Sequence, residues 1–121
     1  MSGDKKILVI DDEESVAKVI QTYLAEDGYQ VSFSLNGKSA LEQIKKAKPA
    51  LVLLDIRLGD MNGLDVLSEI KMIDRSIPVI LVTGIYEDEQ AQKAFEAGAA
   101  DYITKPIDFY YLKNILQSQL Q

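Results

Sequence analysis

Hydrophobic and polar residues alternate along this chain in two patterns, one typical of buried strands and one typical of amphipathic helices. Runs of consecutive apolar residues predict strands buried on both faces, as in a parallel sheet covered by helices. Residues 7–10, 51–54 and 79–82 form such runs. Residues 30–34 alternate and predict a less buried edge strand, and residues 101–104 predict a short fifth strand.

Between these strands, apolar residues recur at the spacing of one helical face. The first helix is expected from Ser15, the second after a turn at Asn36-Gly37, and the third after Gly63. The fourth is expected over residues 87–97, and Asp108 is well placed to cap the fifth. The apolar positions are Val16, Val19, Ile20, Tyr23 and Leu24, then Ala40, Leu41, Ile44 and Ala47, then Leu64, Leu67, Ile70 and Ile73, and finally Leu112, Ile115, Leu116 and Leu120.

Five strands alternating with five helices predict a single α/β domain over residues 1–121, with helices on both faces of a parallel sheet. A chain of 121 residues suits one hydrophobic core. In open sheets of this kind, the working site lies beyond the carboxyl ends of the strands, where the strand order reverses. The residues at those ends are therefore the candidates for function.

Polar side chains follow four of the predicted strands. They are Asp11 and Asp12, Asp55, Thr83 and Lys105. Asp55 has a structural alternative as the cap of the next helix, but the residues directly after it do not begin one. The four strand ends therefore predict a cluster of acids, a hydroxyl and an ammonium group at one rim of the sheet.

Composition narrows the chemistry that this cluster can perform. The chain has no cysteine, which excludes disulfides and thiol catalysis, and no histidine, which excludes imidazole acid–base chemistry and phosphohistidine on this chain. A net charge of -6 argues against direct contact with nucleic acid, because phosphate contacts need clustered lysine and arginine. Every apolar run is too short for a membrane span, so we expect a cytoplasmic protein.

The clustered acids require a positive counter-charge. At about 5 Å and an effective dielectric constant near 20, each pair of carboxylates repels by about 3 kcal/mol. Lys105 supplies one positive charge, and a hard divalent ion such as Mg²⁺, which prefers oxygen ligands, would supply the rest. Asp11 and Asp12 alone would also suit an acidic helix N-terminus, but this alternative does not explain Asp55 and Lys105.

These groups permit one reaction in particular. An ionised carboxylate can act as a nucleophile and form an aspartyl phosphate, without a general base. Mg²⁺ and a lysine would neutralise the oxygens of the transferring phosphoryl group, and a threonine hydroxyl would bind one of them. Any phosphohistidine donor must then be another protein.

Over nearly its whole length, the chain resembles a known family, the response-regulator receiver domains of two-component signalling. Each motif alone is weakly specific, but the four in this order and spacing are highly specific. The motifs are Val9-Ile10-Asp11-Asp12-Glu13, Leu53-Leu54-Asp55-Ile56 with Gly63 eight residues after the aspartate, Thr83-Gly84, and Asp101-Tyr102-Ile103-Thr104-Lys105-Pro106. The resemblance implies a flavodoxin-like (βα)5 three-layer sandwich with strand order 2-1-3-4-5.

The resemblance also implies roles for individual residues. Asp55 would accept the phosphoryl group. Mg²⁺ would be bound by Asp12, Asp55 and the carbonyl of Arg57, with Asp11 helping through water. Thr83 and Lys105 would hold the phosphoryl group, Tyr102 would rotate inward as the switch aromatic, and Lys105-Pro106 would be a cis peptide. The chain would be a signalling switch and not an enzyme, assisting only its own phosphorylation and dephosphorylation.

Three positions in the loops need separate comment. Gly59 stands where the family commonly has proline, which affects the expected rigidity of the loop and not the chemistry. Arg57 and Ile85 occupy variable positions that are thought to tune the lifetime of the phosphoryl group. Ile85 offers no hydrogen bond to orient an attacking water, so we expect slow autodephosphorylation.

Three alternative functions make different demands on these residues. A flavodoxin-like cofactor binder needs a loop after the first strand that can cradle a phosphate, and the acidic residues 11–14 would repel one. An aspartate-nucleophile phosphatase needs a second acid two residues beyond the nucleophile, where this chain has Arg57. A receiver-like interaction module that is never phosphorylated remains the third alternative, although the site residues are complete.

The resemblance implies partners as well. The phosphoryl donor would be a sensor histidine kinase or a histidine phosphotransfer protein. The output would be another domain, a partner protein or a phosphorylation-dependent homodimer, acting through the fourth helix, fifth strand and fifth helix, with Tyr86, Tyr110 and Tyr111 exposed there. The last helix looks more like receivers of sigma-54-type activators than those of winged-helix regulators.

Overall fold

A computed structural model describes residues 5–84 and 87–120 of the chain. Strands and helices alternate from end to end, as the apolar pattern predicts. The strands are β1 (Lys6–Ile10), β2 (Gln30–Ser34), β3 (Leu51–Leu54), β4 (Val79–Thr83) and β5 (Asp101–Thr104). The helices are α1 (Glu14–Ala25), α2 (Gly37–Lys46), α3 (Gly63–Ile73), α4 (Asp88–Glu96) and α5 (Phe109–Gln119).

The five strands form one parallel sheet in the order β2-β1-β3-β4-β5, which confirms the expected topology. The strand order reverses between β1 and β3. In their register Ile10 lies beside Leu54, so the residues that follow, Asp11 and Asp55, leave the sheet side by side. The topology therefore brings together two acids that are 44 residues apart, from positions 11 and 55 of the sequence.

Successive strand residues face opposite sides of the sheet, and each side carries its own core. Leu8, Ile10, Val52 and Leu54 belong to the cluster that α2, α3 and α4 cover. The opposite cluster lies under α1 and α5 and contains Ile7, Val9, Leu51, Leu53, Ile80 and Val82. Because both sides are covered, the central strands are continuously apolar and the fold is a three-layer sandwich.

The predicted apolar face of α1 is only partly correct. Ala17, Ile20 and Leu24 are its buried residues, whereas Val19 and Tyr23 remain 48% and 45% exposed. The small Ala17 lets the helix approach the sheet along the line of residues 17, 20 and 24, and this leaves the flanking positions outside. The Tyr23 ring stacks on Phe109 of α5, with 4.2 Å between ring centroids.

One predicted helix cap is confirmed, and one predicted turn is wrong. Gly28 adopts the left-handed conformation after α1, and the Asp108 side chain caps α5 by accepting a hydrogen bond from the Tyr111 amide. Asn36-Gly37 is the start of α2 and not a turn, because the Asn36 side chain accepts a hydrogen bond from the Ser39 amide. The same helix ends at Lys46, so Ala47 is its exposed C-cap and not part of its apolar face.

Candidate functional site

Three carboxylates meet at the carboxyl ends of β1 and β3. Asp11 and Asp55 are buried, with 2% and 6% of their surfaces exposed, and Asp12 is exposed. One oxygen from each of the three lies within 4.8 Å of the others. The rim is therefore a compact acidic cluster, as the strand ends predict.

Lys105 provides the positive charge in this cluster. Its ammonium nitrogen donates hydrogen bonds to Asp11 Oδ2 at 2.8 Å and to Asp55 Oδ2 at 3.0 Å. It also lies 3.9 Å from a Glu13 carboxylate oxygen. Lys105 follows β5, two strands away from β3, so its long side chain must pass the end of β4 to reach the acids.

Burial and these contacts shift the pKa values of two groups. Burial raises the pKa of Asp55 above its ordinary value, although the Arg57 amide and Lys105 partly offset this effect. Burial alone would lower the pKa of Lys105, but its hydrogen bonds to Asp11 and Asp55 outweigh burial and leave that pKa raised. Lys105 is thus held as a cation, while the charge on Asp55 is less well stabilised than in water.

The loop after β3 fixes the orientation of Asp55. The Oδ1 atom of Asp55 accepts a hydrogen bond from the Arg57 amide at 3.1 Å. The cap of α3 is Asn62, whose side chain accepts from the Leu64 amide, so the alternative in which Asp55 caps that helix does not hold. The Gly63 amide donates to the Ile56 carbonyl at 2.7 Å, which brings the start of α3 directly against the strand end.

Gly63 is required by this close approach. A Cβ atom at position 63 would lie 2.5 Å from the Ile56 Cα and closer still to the Asp55 carbonyl oxygen. Both atoms belong to the backbone, so no side chain can move aside to make room. The glycine therefore allows the loop to return close to the Asp55 backbone.

Thr83 and Tyr102 lie on the other side of Asp55. Thr83 is 1% exposed at the end of β4, and its carbonyl accepts a hydrogen bond from the Lys105 amide at 2.8 Å. Tyr102 is 9% exposed on the side of the sheet that faces α4. Both line a cavity of about 390 Å³, whose other walls are Ile56, Arg57, Leu58, Gly59, Asp60, Met61, Asn62, Glu87 and Gln90.

The remaining predicted positions are less informative. Lys105-Pro106 is a cis peptide, as the resemblance implies. Gly84 is exposed, and a Cβ atom there would contact nothing within 4 Å. Ile85 and Tyr86 lie outside the described residues. Tyr110 and Tyr111 are exposed, at 78% and 48%.

Sequence reasoning passed over three residues near the site. Glu13 lies beside Lys105 as described above, and Asp60 accepts two hydrogen bonds from the start of α2. Gln90 lines the cavity, and its buried Oε1 has no hydrogen-bond donor within residues 5–84 and 87–120. An acid in a polar loop and a glutamine in an amphipathic helix carry no pattern that distinguishes them, so only the fold identifies them.

The donor set suits a hard divalent cation. The ligand atoms available in the cluster are carboxylate oxygens, which Mg²⁺ prefers. Three clustered carboxylates also exceed the single charge of Lys105, so a further cation would reduce their repulsion. Asp11, Asp12 and Asp55 therefore fit that ion.

Comparison with known proteins supports the same interpretation. The chain matches the family described as response regulator receiver domain over residues 7–117. Transcriptional regulatory protein ZraR of Klebsiella oxytoca is 40% identical over 121 residues, which cover 99% of this chain but 27% of ZraR. Sporulation initiation phosphotransferase F of Bacillus subtilis is 32% identical over 117 residues, which cover 97% of this chain and 94% of that protein.

The solved structures agree with the sequence relatives. A two-component response regulator from Clostridium difficile superposes with a TM-score of 0.93 at 27% identity, covering 97% of this chain and 96% of that one.

The chain spans about a quarter of the ZraR length, so the match there concerns one part of a longer protein. None of the helices among the described residues has the length and apolar character needed to cross a membrane.

Proposed function

The chain belongs to the response regulator receiver domain family of two-component systems, and on that premise we propose that it is a signalling switch phosphorylated on Asp55. The observation that carries the proposal is the position of Asp55. It lies buried where the strand order reverses, beside a second buried acid and a cationic lysine that donates a hydrogen bond to both carboxylates. We assign the receiver to residues 1–121.

The proposed reaction needs only the groups at this rim. A carboxylate oxygen of Asp55 attacks the phosphorus of a phosphohistidine on the donor protein. The new O–P bond forms as the P–N bond breaks, and the electron pair returns to the donor imidazole. Because the carboxylate is already ionised when it attacks, no proton has to be removed by this chain.

Lys105 and Thr83 then have separate roles. The Lys105 ammonium now bridges Asp11 and Asp55, and it would follow the negative charge onto the phosphoryl oxygens. The Thr83 hydroxyl would donate a hydrogen bond to another of those oxygens. Mg²⁺ would be held by Asp12, Asp55 and the Arg57 carbonyl, with Asp11 helping through water, and it would supply further positive charge for the transferring group.

Phosphorylation would change the surface through Thr83 and Tyr102. Both residues line the same cavity beside α4, so a Thr83 side chain drawn toward the phosphoryl group changes the space available to the Tyr102 ring. A modification that adds charge and acceptor oxygens shifts an existing two-state equilibrium. We propose that α4, β5 and α5 form the output surface, where Tyr110 and Tyr111 are exposed.

The proposed partners follow from this chemistry. With no histidine on the chain, the donor is a sensor histidine kinase or a histidine phosphotransfer protein. The output is a further domain, a separate protein or a phosphorylation-dependent homodimer, without contact between this domain and nucleic acid. A location in the cytoplasm is part of the same proposal.

Phosphoryl transfer from a small-molecule donor tests the proposal. The protein is incubated with labelled acetyl phosphate, with and without Mg²⁺, and hydroxylamine-labile label is measured. We expect labelling that requires Mg²⁺ and is lost in Asp55→Asn, but kept in Asp65→Asn, which makes the same chemical change at an exposed acid on α3. Normal labelling of Asp55→Asn would contradict the assignment, and an unlabelled parent protein would favour an interaction module that is never phosphorylated.

A further inference from the structure

The loop between β3 and α3 lies against the proposed phosphorylation site, and its Leu58 and Met61 side chains pack against the core that α2, α3 and α4 cover. It supplies the Arg57 amide bonded to Asp55 and the Arg57 carbonyl proposed as a metal ligand. Within the loop, Arg57 and Asn62 form an isolated antiparallel bridge. Around Gly59 the loop is open, since a Cβ atom there would contact nothing within 4 Å.

Asp60 connects this loop to α2, a helix more than 20 residues earlier in the sequence. Its Oδ1 accepts a hydrogen bond from the Gly37 amide at 2.9 Å, and its Oδ2 accepts one from the Lys38 amide at 3.0 Å. Gly37 and Lys38 are the first two residues of α2, so their amides have no partner within the helix. Both oxygens of one carboxylate are thus used to join the loop to the positive end of α2.

The two hydrogen bonds also affect the ionisation of the Asp60 carboxyl. The Lys38 and Gly37 amides lower the pKa of this carboxyl below its ordinary value. Amides that favour the charged form are bound more tightly by the carboxylate than by the neutral acid. The geometry and the charge therefore agree.

Capping of α2 alone does not account for Asp60. The side chain of Asn36 already caps this helix by accepting from the Ser39 amide at 2.8 Å. The helix start also lies close to the loop, because a Cβ atom at Gly37 would be 2.8 Å from Val66 Cγ2 and 3.0 Å from Met61 Sδ. The Asp60 carboxylate therefore joins two elements that are in contact, one of which carries site atoms.

We propose that Asp60 is a positioning residue of the phosphorylation site, which holds the β3–α3 loop against α2 and so keeps the Arg57 backbone in place beside Asp55. The proposal rests on the function proposed above. The Asp60 hydrogen bonds restrain the loop next to Gly59, which has no side chain to hold it. Removing the carboxylate should loosen the Arg57 carbonyl and weaken metal binding while the acidic cluster itself stays intact.

Two variants at the same helix end separate positioning from capping. Asp60→Ala removes both hydrogen bonds between the loop and the Gly37 and Lys38 amides. Asn36→Ala removes the hydrogen bond to the Ser39 amide, which does not involve the loop. In metal-free protein, amide hydrogen exchange should rise at residues 37–38 and 57–61 in Asp60→Ala. In Asn36→Ala the rise should be confined to the first turn of α2, including Ser39.

Mg²⁺ affinity is the second measurement, read from amide chemical shifts during a titration. Changes in residues that orient ligands typically cost 10–100-fold in metal affinity. We expect a loss of about tenfold or more in Asp60→Ala and parental affinity in Asn36→Ala. Asp60→Asn keeps one acceptor oxygen and should lie between the parent and Asp60→Ala in both measurements, and it carries the test if Asp60→Ala does not fold.

The two proposals fail in different ways. If the parent protein binds no Mg²⁺ and accepts no phosphoryl group, the proposed function fails, whereas loop exchange still reports on Asp60. If Asp60→Ala and Asn36→Ala show the same exchange in the loop and the same Mg²⁺ affinity, the positioning role of Asp60 is wrong. The same conclusion follows if Asp60→Asn leaves both the loop exchange and the Mg²⁺ affinity at the parental values.

Discussion

Gly63→Ala tests how closely the start of α3 approaches the Asp55 backbone. The added methyl group would lie 2.5 Å from the Ile56 Cα, and closer to the Asp55 carbonyl oxygen, with only backbone to move. Overpacking of this kind typically destabilises a protein by about 1–3 kcal/mol. Relief of the clash would also displace the Asp55 backbone and lengthen the 2.7 Å hydrogen bond between the Gly63 amide and the Ile56 carbonyl.

Gly59→Ala is the matched control in the same loop. A Cβ atom at position 59 would contact nothing within 4 Å, and its backbone is not in the left-handed region. Replacing a glycine by alanine at such a position stabilises a protein by about 0.4–1 kcal/mol, because the unfolded chain has less conformational freedom to lose. Since this gain applies to both variants, the difference between them isolates the steric term of about 1–3 kcal/mol at Gly63.

Thermal unfolding measures that difference directly. An unfolding entropy of about 2.1 cal/mol/K per residue gives about 250 cal/mol/K for this chain, so 1 kcal/mol corresponds to about 4 °C in Tm. We expect Gly63→Ala to melt about 4–12 °C below Gly59→Ala. Equal Tm values would refute the close approach, and a strongly destabilised Gly59→Ala would refute the open environment of the loop.

The other predictions concern the switch, the phosphoryl lifetime and an ionisable surface group. Beryllofluoride with Mg²⁺ should shift amide resonances mainly between Thr83 and Leu112, and changes confined to the β3–α3 loop would contradict the proposed output surface. Ile85→Glu should hydrolyse the aspartyl phosphate about tenfold faster, equivalent to about 1.4 kcal/mol, because a carboxylate can orient water; an unchanged rate would show that Ile85 does not control access. The hydroxyl and amide of Ser76 lower the pKa of Asp74, so Ser76→Ala should raise that pKa toward its ordinary value in a carboxyl NMR titration. An acid whose pKa is lowered by folding stabilises the protein above its unfolded pKa and loses that contribution as the pH falls through its folded pKa. The stability of the parent and Ser76→Ala should therefore differ near neutral pH and converge in acid, and a pKa of Asp74 unchanged by Ser76→Ala would contradict the role of the hydroxyl, since the amide of residue 76 is kept in the variant.

The central strands β1, β3 and β4 could be predicted from sequence because their apolar residues are all buried. Leu51–Leu54 is continuously apolar, and all four residues are buried because helices cover both sides of the sheet. The buried faces of the helices were less certain. An apolar residue at the edge of the buried face has nearly the same spacing in sequence as a residue at its centre. Tyr23 has the spacing of a core residue but instead stacks on Phe109 near the surface.

The acidic cluster could be predicted because it depends on strand ends, whose positions follow from the apolar runs. The contacts of Lys105 could not be predicted in detail, because its side chain reaches from the end of β5 to Asp55, two strands away, and to Asp11, three strands away. Asp60 could not be predicted at all, since its partners Gly37 and Lys38 are more than 20 residues away in sequence. Long-range contacts of loop residues depend on packing that no local pattern encodes.

The central claim is that Asp55 carries the phosphoryl group, and chemical mapping of the acyl phosphate tests it most directly. Protein treated with acetyl phosphate and Mg²⁺ is reduced with borohydride, which converts an aspartyl phosphate to homoserine, and is then digested and sequenced by mass spectrometry. We expect homoserine at position 55 alone, with aspartate retained at positions 11 and 12. Homoserine at Asp11 or Asp12, or reduction at no aspartate while the protein is labelled, would contradict the account.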